Sequence, residues 1–292
     1  MINDSLSYKI FRVCNTIFML FMIVITLYPM LYVVFASLSE SKELMAHNGI
    51  LLTPLKTNIN AYKMVFQNKM ILTGYANTLY ILIVGLVINM ALTVTAAFVL
   101  SRNELPGVKY MTIFMVFTMY FSGGLIPCYL NVRELGLYDS HWALILVSAM
   151  SAYNVIITRT AFWGIPKSLE ESARLDGAGY MTVLIKIFLP LTKPTLMVIV
   201  LYYAVAHWNS WFQAMIYLQD RAKYPLQLVL REILIQSNTE TMTFDVAGSE
   251  LGSVAESVKY AVIVVSTLPI LMVYPFLQKY FVKGVMVGAV KG

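Results

Sequence analysis

The 292-residue sequence predicts an all-α, polytopic membrane protein with six transmembrane helices, and three observations predict it. Charged residues make up only 12% of the chain, about half the share of an average soluble domain, while 59% are hydrophobic and the mean hydropathy is +0.72. Six stretches of 18 or more residues carry no Asp, Glu, Lys or Arg: 13–39, 70–101, 110–132, 140–158, 194–219 and 260–278. These cover half of the chain, so all 21 basic and 15 acidic residues crowd into the other half. Each stretch suffices for a helix crossing a hydrocarbon core about 30 Å thick, which takes roughly 20 apolar residues. Finally, the stretches do not alternate apolar with polar as barrel strands do. A soluble globular enzyme is excluded, since too few polar residues remain to cover six such helices.

The spans are expected at about 13–37, 74–100, 110–131, 140–162, 193–217 and 259–279, all within a single transmembrane domain, 1–292. The first, with FMLFMIVITLYPMLYVVF at its centre, is apolar on every face. It is far longer than the 7–15 residues of a signal-peptide core, and no A-x-A site follows, so it inserts uncleaved. Cys14 and Cys128 lie in different runs at opposite predicted faces and cannot form a bridge. Residues 39–69 form a long connection. Pro106-Gly107 marks a tight turn between the second and third spans. In the long segment 218–258, Leu226, Val229, Leu230, Ile233 and Leu234 recur at helical spacing, which predicts an amphipathic helix on the outer surface. It either covers the bundle or docks an external partner.

Six spans place both termini on one side. With the N-terminus inside, twelve basic residues fall on the shorter inner segments and nine on the longer outer ones, so the positive-inside rule favours N-in, C-in. The net charge of +6 reflects this topology, with no basic cluster resembling a nucleic-acid surface.

The segment 164–190, between spans four and five, has a different character. Pro166 can begin a helix, and Ser168 with Glu171 spells the S-x-x-E capping box. Glu170 and Arg174 are spaced to pair on one helix face. Gly177 and Gly179 then stop or bend the helix, and a second one runs to Leu189-Pro190 at the membrane surface. On residues alone, an amphipathic helix resting on lipid headgroups is the favoured explanation of the segment.

Within it, Glu171-Ser172-Ala173, Gly177, Ile187, Leu189 and Pro190 match the pattern E-A-A-x3-G-x9-I-x-L-P at every spacing, with Ser172 replacing the first alanine. This pattern resembles the cytoplasmic motif of ABC importer permeases. The flanks PKSLEESARLDGAG and IFLPLTKP are similar to those of MalG-like sugar permeases. So are PLKTNINAYKMVFQN, GYANTLYI, HWNSWFQAMIYL and the tail QKYFVKGVMVGAVKG. FSGGLIPCYLNVRELGLYDS resembles the subgroup associated with complex oligosaccharides and polysaccharide fragments.

The resemblance implies a non-catalytic membrane subunit in the bacterial cytoplasmic membrane, driven by a separate ATPase. No G-x-x-x-x-G-K-[ST] occurs, so no triphosphate cradle is encoded here. ATP and Mg would be bound by a cytoplasmic ATPase dimer, and no cofactor or metal by this chain. The other implied partners are a second homologous permease, an extracellular or periplasmic solute-binding protein, a sugar substrate and membrane lipid. Glu170, Glu171, Ser172, Ala173, Gly177, Ile187, Leu189 and Pro190 would couple to the ATPase, and the tail residues Lys283, Gly284 and Lys291 would reach toward it.

Path residues are sought among polar and aromatic groups inside spans, where burial is expensive unless they face a cavity or the protein interior. Asn154, His207, Trp208, Asn209 and Trp211 are the main candidates, with Asn77, Asn89, Ser148, Ser151, Ser210 and Gln213 behind them. Helix-to-helix hydrogen bonding and interfacial anchoring are the competing explanations. An ion-coupled secondary transporter is the alternative reading, but it calls for charged residues within the spans, and the six runs contain none. An intramembrane enzyme needs a nucleophile–base pair or a metal cluster, yet His47, His141 and His207 are far apart in sequence.

Overall fold

The computed structural model describes residues 6–102, 104–243, 256–272 and 275, which hold helices and no strand. In chain order the helices are α1 Leu6–Ser37, α2 Ser41–Ala46, α3 Asn60–Gln67, α4 Lys69–Leu100, α5 Val108–Tyr120, α6 Leu125–Glu134, α7 His141–Val147 and α8 Ala152–Trp163. Then follow α9 Lys167–Leu175, α10 Tyr180–Val183, α11 Leu189–Leu191, α12 Lys193–Trp208, α13 Trp211–Tyr217, α14 Leu226–Thr243 and α15 at 256–272. A π-helical turn, Leu184–Phe188, joins α10 to α11. The chain divides into two compact units, 1–69 with 230–268, and 70–229 with 269–292.

In the first unit, none of the most apolar window of α1 is buried, so apolar side chains face outward all round. That is the surface a helix presents to hydrocarbon. Its C-terminal end anchors the following loop. Ala36, Leu44 and Leu51 form a small core with Tyr32, Phe35 and Tyr260 around it. Ser257 Oγ donates to the Ser39 carbonyl at 2.8 Å and is bonded by Ser41 Oγ at 2.7 Å.

The second unit is built around α4. Its inward face reads Ile81, Gly85, Asn89, Thr93 and Ala97, spaced four apart and all buried. Small and polar residues at this spacing let helices approach closely and hydrogen-bond across the contact. One core cluster, near the end of α4, gathers Phe98, Val155, Phe162, Leu184 and Phe188. Another, toward its start, gathers Ile81, Leu144, Ile145, Tyr217 and Leu228. Beside the latter, Asp139 accepts from the Gln219 and Asp220 amides at 2.9 and 3.0 Å and from Lys223 Nζ at 2.7 Å. Those bonds hold its carboxyl down from 3.8 to about 2.

Among the described residues, α1 and α4 are long and apolar enough to cross a membrane unaided. Three expected spans are not straight helices. The stretch 110–131 breaks at 121–124, where α5 and α6 diverge by 113°. The stretch 140–162 breaks at 148–151 with a 48° bend, and the stretch 193–217 is interrupted at 209–210, between α12 and α13. Just before that last stretch the chain turns 86° between Tyr180–Leu191 and α12. Counting each bent pair as one span raises the number to five among the described residues, and 260–272 of the sixth apolar run lies within α15. The breaks follow local chemistry. Ser122-Gly123-Gly124 favours no helix, and Ser151 caps α8 by accepting from the Asn154 amide.

The amphipathic helix expected at 226–234 is present as α14, but its position corrects the surface reading. Leu226, Leu228, Val229 and Leu230 are all buried, and the Leu226 amide donates to Thr78 Oγ1 at 2.8 Å. The apolar stripe has found protein in place of an interface.

Candidate functional site

The segment after α8 folds as two short helical pieces, and each is shaped by a small number of residues. Pro166, extended at φ −58° and ψ 128°, stands as the N-cap of α9, so Lys167 and Ser168 are already helical. The expected Ser168–Glu171 capping box therefore does not form: no side chain caps this end, and the Leu169 amide bonds the Pro166 carbonyl. A capping serine must sit in extended geometry, one position outside the helix. Proline, with φ already at its helical value, starts the helix earlier.

The other end explains the spacing of the motif. The Gly177 amide donates to the Arg174 carbonyl at 3.0 Å and the Ala178 amide to the Ala173 carbonyl at 2.9 Å. This pair of bonds is the Schellman closure, with Gly177 in the left-handed conformation at φ +85°. Ala173 and Ala178 meet the same apolar cluster, completing the contact that accompanies such a closure. The four-residue interval from Ala173 to Gly177 thus places a small residue on the core and a glycine where the chain must reverse.

Beyond Gly179, the chain enters α10, the π turn and α11. The Leu189 amide bonds back five residues to the Leu184 carbonyl. Pro190 has no N–H and would crowd the carbonyl four residues earlier, so a widened turn just before it relieves both problems. Leu184 and Phe188 are buried, Ile187 and Leu189 pack against the same cluster, and Thr192 Oγ1 bonds the Phe188 carbonyl at 2.7 Å. The residues of the sequence pattern are therefore core contacts at one end and exposed surface at the other.

Which residues remain exposed is informative. Glu171, Ser172 and Asp176 face outward, and Leu175 is 89% exposed at the end of α9. Glu170 does not join them. Its pairing with Arg174 forms at 3.7 Å, but its nearer partner is Arg102, whose Nη1 donates to Oε1 at 2.5 Å. Arg102 lies two residues beyond α4, with its guanidinium 4.2 Å from the Phe98 ring centroid and 4.8 Å from that of Tyr180. Only 16% of the Arg102 side chain and 18% of the Glu170 side chain is exposed. These groups line a cleft of about 240 Å³ with Phe162, Lys167, Arg174 and Phe188. Lys167 pairs with Glu104 at its exposed rim at 2.7 Å, lowering the carboxyl and raising the ammonium from their ordinary values. Sequence reasoning missed Arg102. The available signal was its position, one turn after Phe98 and directly behind the longest uncharged run.

The candidate path residues do not converge on one face. Asn154, His207 and Trp208 are buried, the last in edge-to-face contact with Tyr75. Asn209 is exposed and bonds the Val205 carbonyl of its own helix, and Trp211 is partly exposed beside Phe212. His207 belongs to a clamp on the break at 148–151. Asn89 Nδ2 donates to the Ser148 and Ala149 carbonyls at 2.7 and 2.8 Å, which leaves its Oδ1 to accept from His207 Nε2 at 2.7 Å. His207 Nε2 must then carry the proton. The Tyr203 hydroxyl accepts from the Ser151 amide and pairs with Thr93. Backbone groups freed inside a membrane must be satisfied by protein, and side chains from α4 and α12 do so here. Asn77 likewise bonds the Ala222 and Tyr224 carbonyls. Lys283, Gly284 and Lys291 lie outside the described residues.

A helical membrane bundle carrying this segment defines a class, and the chain belongs to the family of binding-protein-dependent transport system inner membrane components, matched over residues 107–287. It is the permease subunit of an ABC importer. Among its relatives, protein LplC of Bacillus subtilis (strain 168) is 40% identical over 99% of this chain and 98% of its own length. The polygalacturonan/rhamnogalacturonan transport system permease protein YtcP of the same organism is 41% identical over 94% of this chain and 96% of its own. The crystal structure of a bacterial ABC transporter involved in the import of the acidic polysaccharide alginate contains a chain with TM-score 0.86 and 33% identity, covering 95% of this chain and 98% of that one. A second alginate transporter chain, at 15% identity and TM-score 0.60, shares the fold.

Proposed function

We propose that this chain forms half of the pore of an importer for an oligosaccharide or polysaccharide fragment, and that the substrate is acidic. The relatives named for polygalacturonan and alginate support that substrate class. In this reading a second homologous permease completes the pore. A cytoplasmic ATPase dimer binds ATP and Mg, and an extracellular or periplasmic binding protein delivers the sugar. Six spans, at about 13–37, 74–100, 110–131, 140–162, 193–217 and 259–279, lie N-in and C-in across the bacterial cytoplasmic membrane, with the segment 164–190 on the inner side.

The observation that carries the reading is the division of α9 into two faces. Ala173, Ala178 and Glu170 fasten it to the bundle, while Glu171, Ser172 and Leu175 stand free to enter a cleft on the ATPase. Gly177, Ile187, Leu189 and Pro190 hold the second half of the segment rigid against the core. ATP-driven closure of the dimer moves α9, and the bundle switches between inward- and outward-facing states for which the two nucleotide states have different affinity. Asn209 and Trp211 are the path candidates available at a surface, while Asn154, His207 and Trp208 shape the helices behind it. The tail, with Lys283, Gly284 and Lys291, adds a second contact to the ATPase.

The test is uptake of a panel of neutral and acidic oligosaccharides by the complete complex in proteoliposomes. Glu171→Lys is expected to abolish uptake and to release the ATPase while the permease stays inserted. Uptake driven by an ion gradient without ATP, or wild-type uptake by Glu171→Lys, overturns the reading.

A further inference from the structure

We propose that Arg102 is a positioning residue that makes the coupling helix α9 and the spanning helix α4 move as one body. The inference rests on the reading of 171–190 as the ATPase-coupling segment. Two joints connect that segment to α4. The first is the ring triad of Phe98, Phe162 and Phe188, with centroids 5.1 to 6.4 Å apart and planes nearly perpendicular. Each ring comes from a different piece: α4, α8 and the π turn. Edge-to-face packing favours these angles, but the joint carries no hydrogen bond or charge pair and is held mainly by burial.

The second joint is directional. The Arg102–Glu170 bond is short, charge-assisted and largely removed from water, and it links residues 68 apart in sequence. Arg102 cannot follow a different partner cheaply. Its Nε and Nη2 are buried with no acceptor, and its guanidinium carbon lies over the rings of both Phe98 and Tyr180. Tyr180 lies just past the Gly177 reversal and also receives the Arg174 guanidinium at 4.0 Å. The pair therefore fixes α9, the reversal and the end of α4 in one register. Helix α4 is unbroken over 32 residues, and a displacement imposed at its end reaches Asn89, which caps the break at 148–151. An exposed surface pair such as Lys167–Glu104 has neither the burial nor the ring clamp to do this.

The experiment uses the full complex of both permeases, ATPase and binding protein in proteoliposomes, with a labelled oligogalacturonide as probe. It measures ATPase retention, ATP hydrolysis and uptake for Arg102→Met and for the swap Arg102→Glu with Glu170→Arg. Arg102→Met is expected to keep the ATPase bound and hydrolysing, while uptake per ATP falls at least tenfold. The swap is expected to recover at least a third of the wild-type ratio. A normal uptake-to-ATP ratio in Arg102→Met overturns the inference. So does uptake lost only in proportion to lost ATPase binding, or a swap no better than the single variant. If Arg102→Met fails to accumulate, Arg102→Lys, which keeps the charge but not the fork, replaces it under the same criteria. A wild-type complex that needs no ATP overturns the functional reading itself, an outcome separate from these.

Discussion

Replacing Gly85 by alanine tests the clamp on the broken helix directly. A Cβ at that position would lie 2.5 Å from Nε2, 2.8 Å from Cε1 and 3.1 Å from Cδ2 of His207. Comfortable contact begins near 3.5 Å, so the imidazole must retreat by about 1 Å. It has little room to do so, being only 3% exposed. Retreat along that direction also stretches the 2.7 Å bond to Asn89 past the length at which it counts as one. Overpacking of this kind costs about 1–3 kcal/mol, and a buried polar group left unpaired another 1–3 or so. Alanine is the better helix former by about 1 kcal/mol, which acts in the opposite direction. Crowding and the broken hydrogen bond together outweigh that gain, leaving a net loss of about 1–5 kcal/mol. The assay is the thermal midpoint of the purified permease in detergent for Gly85→Ala, His207→Ala and the double variant. Once the ring is gone the three nearest atoms to the added methyl are gone with it, so the double variant should be no less stable than His207→Ala alone. An unchanged midpoint for Gly85→Ala, or a double variant that loses the sum of both, refutes the reasoning.

The remaining predictions concern the reversal after α9 and the loop beside the Asp139 carboxylate. At Gly177 no atom lies within 4 Å of an added Cβ, so Gly177→Ala meets only the left-handed backbone penalty of about 1–2 kcal/mol and should keep most of its uptake. Gly177→Pro also forbids φ +85° and deletes the bond to the Arg174 carbonyl; it should insert normally, become protease-sensitive in 167–179 and stop importing. Wild-type uptake by the proline variant contradicts this. The Asp139 carboxyl, lowered to about 2, stabilises its loop fully above the ordinary value of 3.8, and that contribution fades as pH falls toward 2. Because Lys223 and Asp139 are each about one-third exposed, Asp139→Asn should cost only about 1 kcal/mol. Protection of the amides at 219–223, taken relative to their intrinsic exchange rate at each pH, should fall on acidification in the wild type and be already low and unchanged over that range in Asp139→Asn.

Much of this architecture was legible from residue order, and the rest was hidden for specific reasons. The coupling segment was readable because its rules are local. A glycine four residues after a small residue closes a helix by bonds within six positions, and a Leu-Pro pair disturbs only the preceding turn. The capping box was misread for an equally local reason, since Pro166 begins the helix two residues sooner. The bends were partly visible in Ser122-Gly123-Gly124. The break at 148–151 was not, because nothing in Ser-Ala-Met-Ser forbids a helix.

Composition by itself determined the solvent this chain folds for, since the cost of placing charge in hydrocarbon leaves six long runs no other use. Local spacing determined the closed, glycine-ended helix α9 and, through its resemblance, the kind of machine the chain serves. Tertiary structure decided which polar groups stay exposed. Glu170 and Glu171 are neighbours, yet one turns to Arg102, 68 residues away, and the other to the outside. His207 could have lined a path. It instead bonds Asn89, 118 residues earlier, so that two stranded carbonyls are satisfied. A buried donor or acceptor is costly only until a partner reaches it, and that partner is supplied by the packing of distant helices.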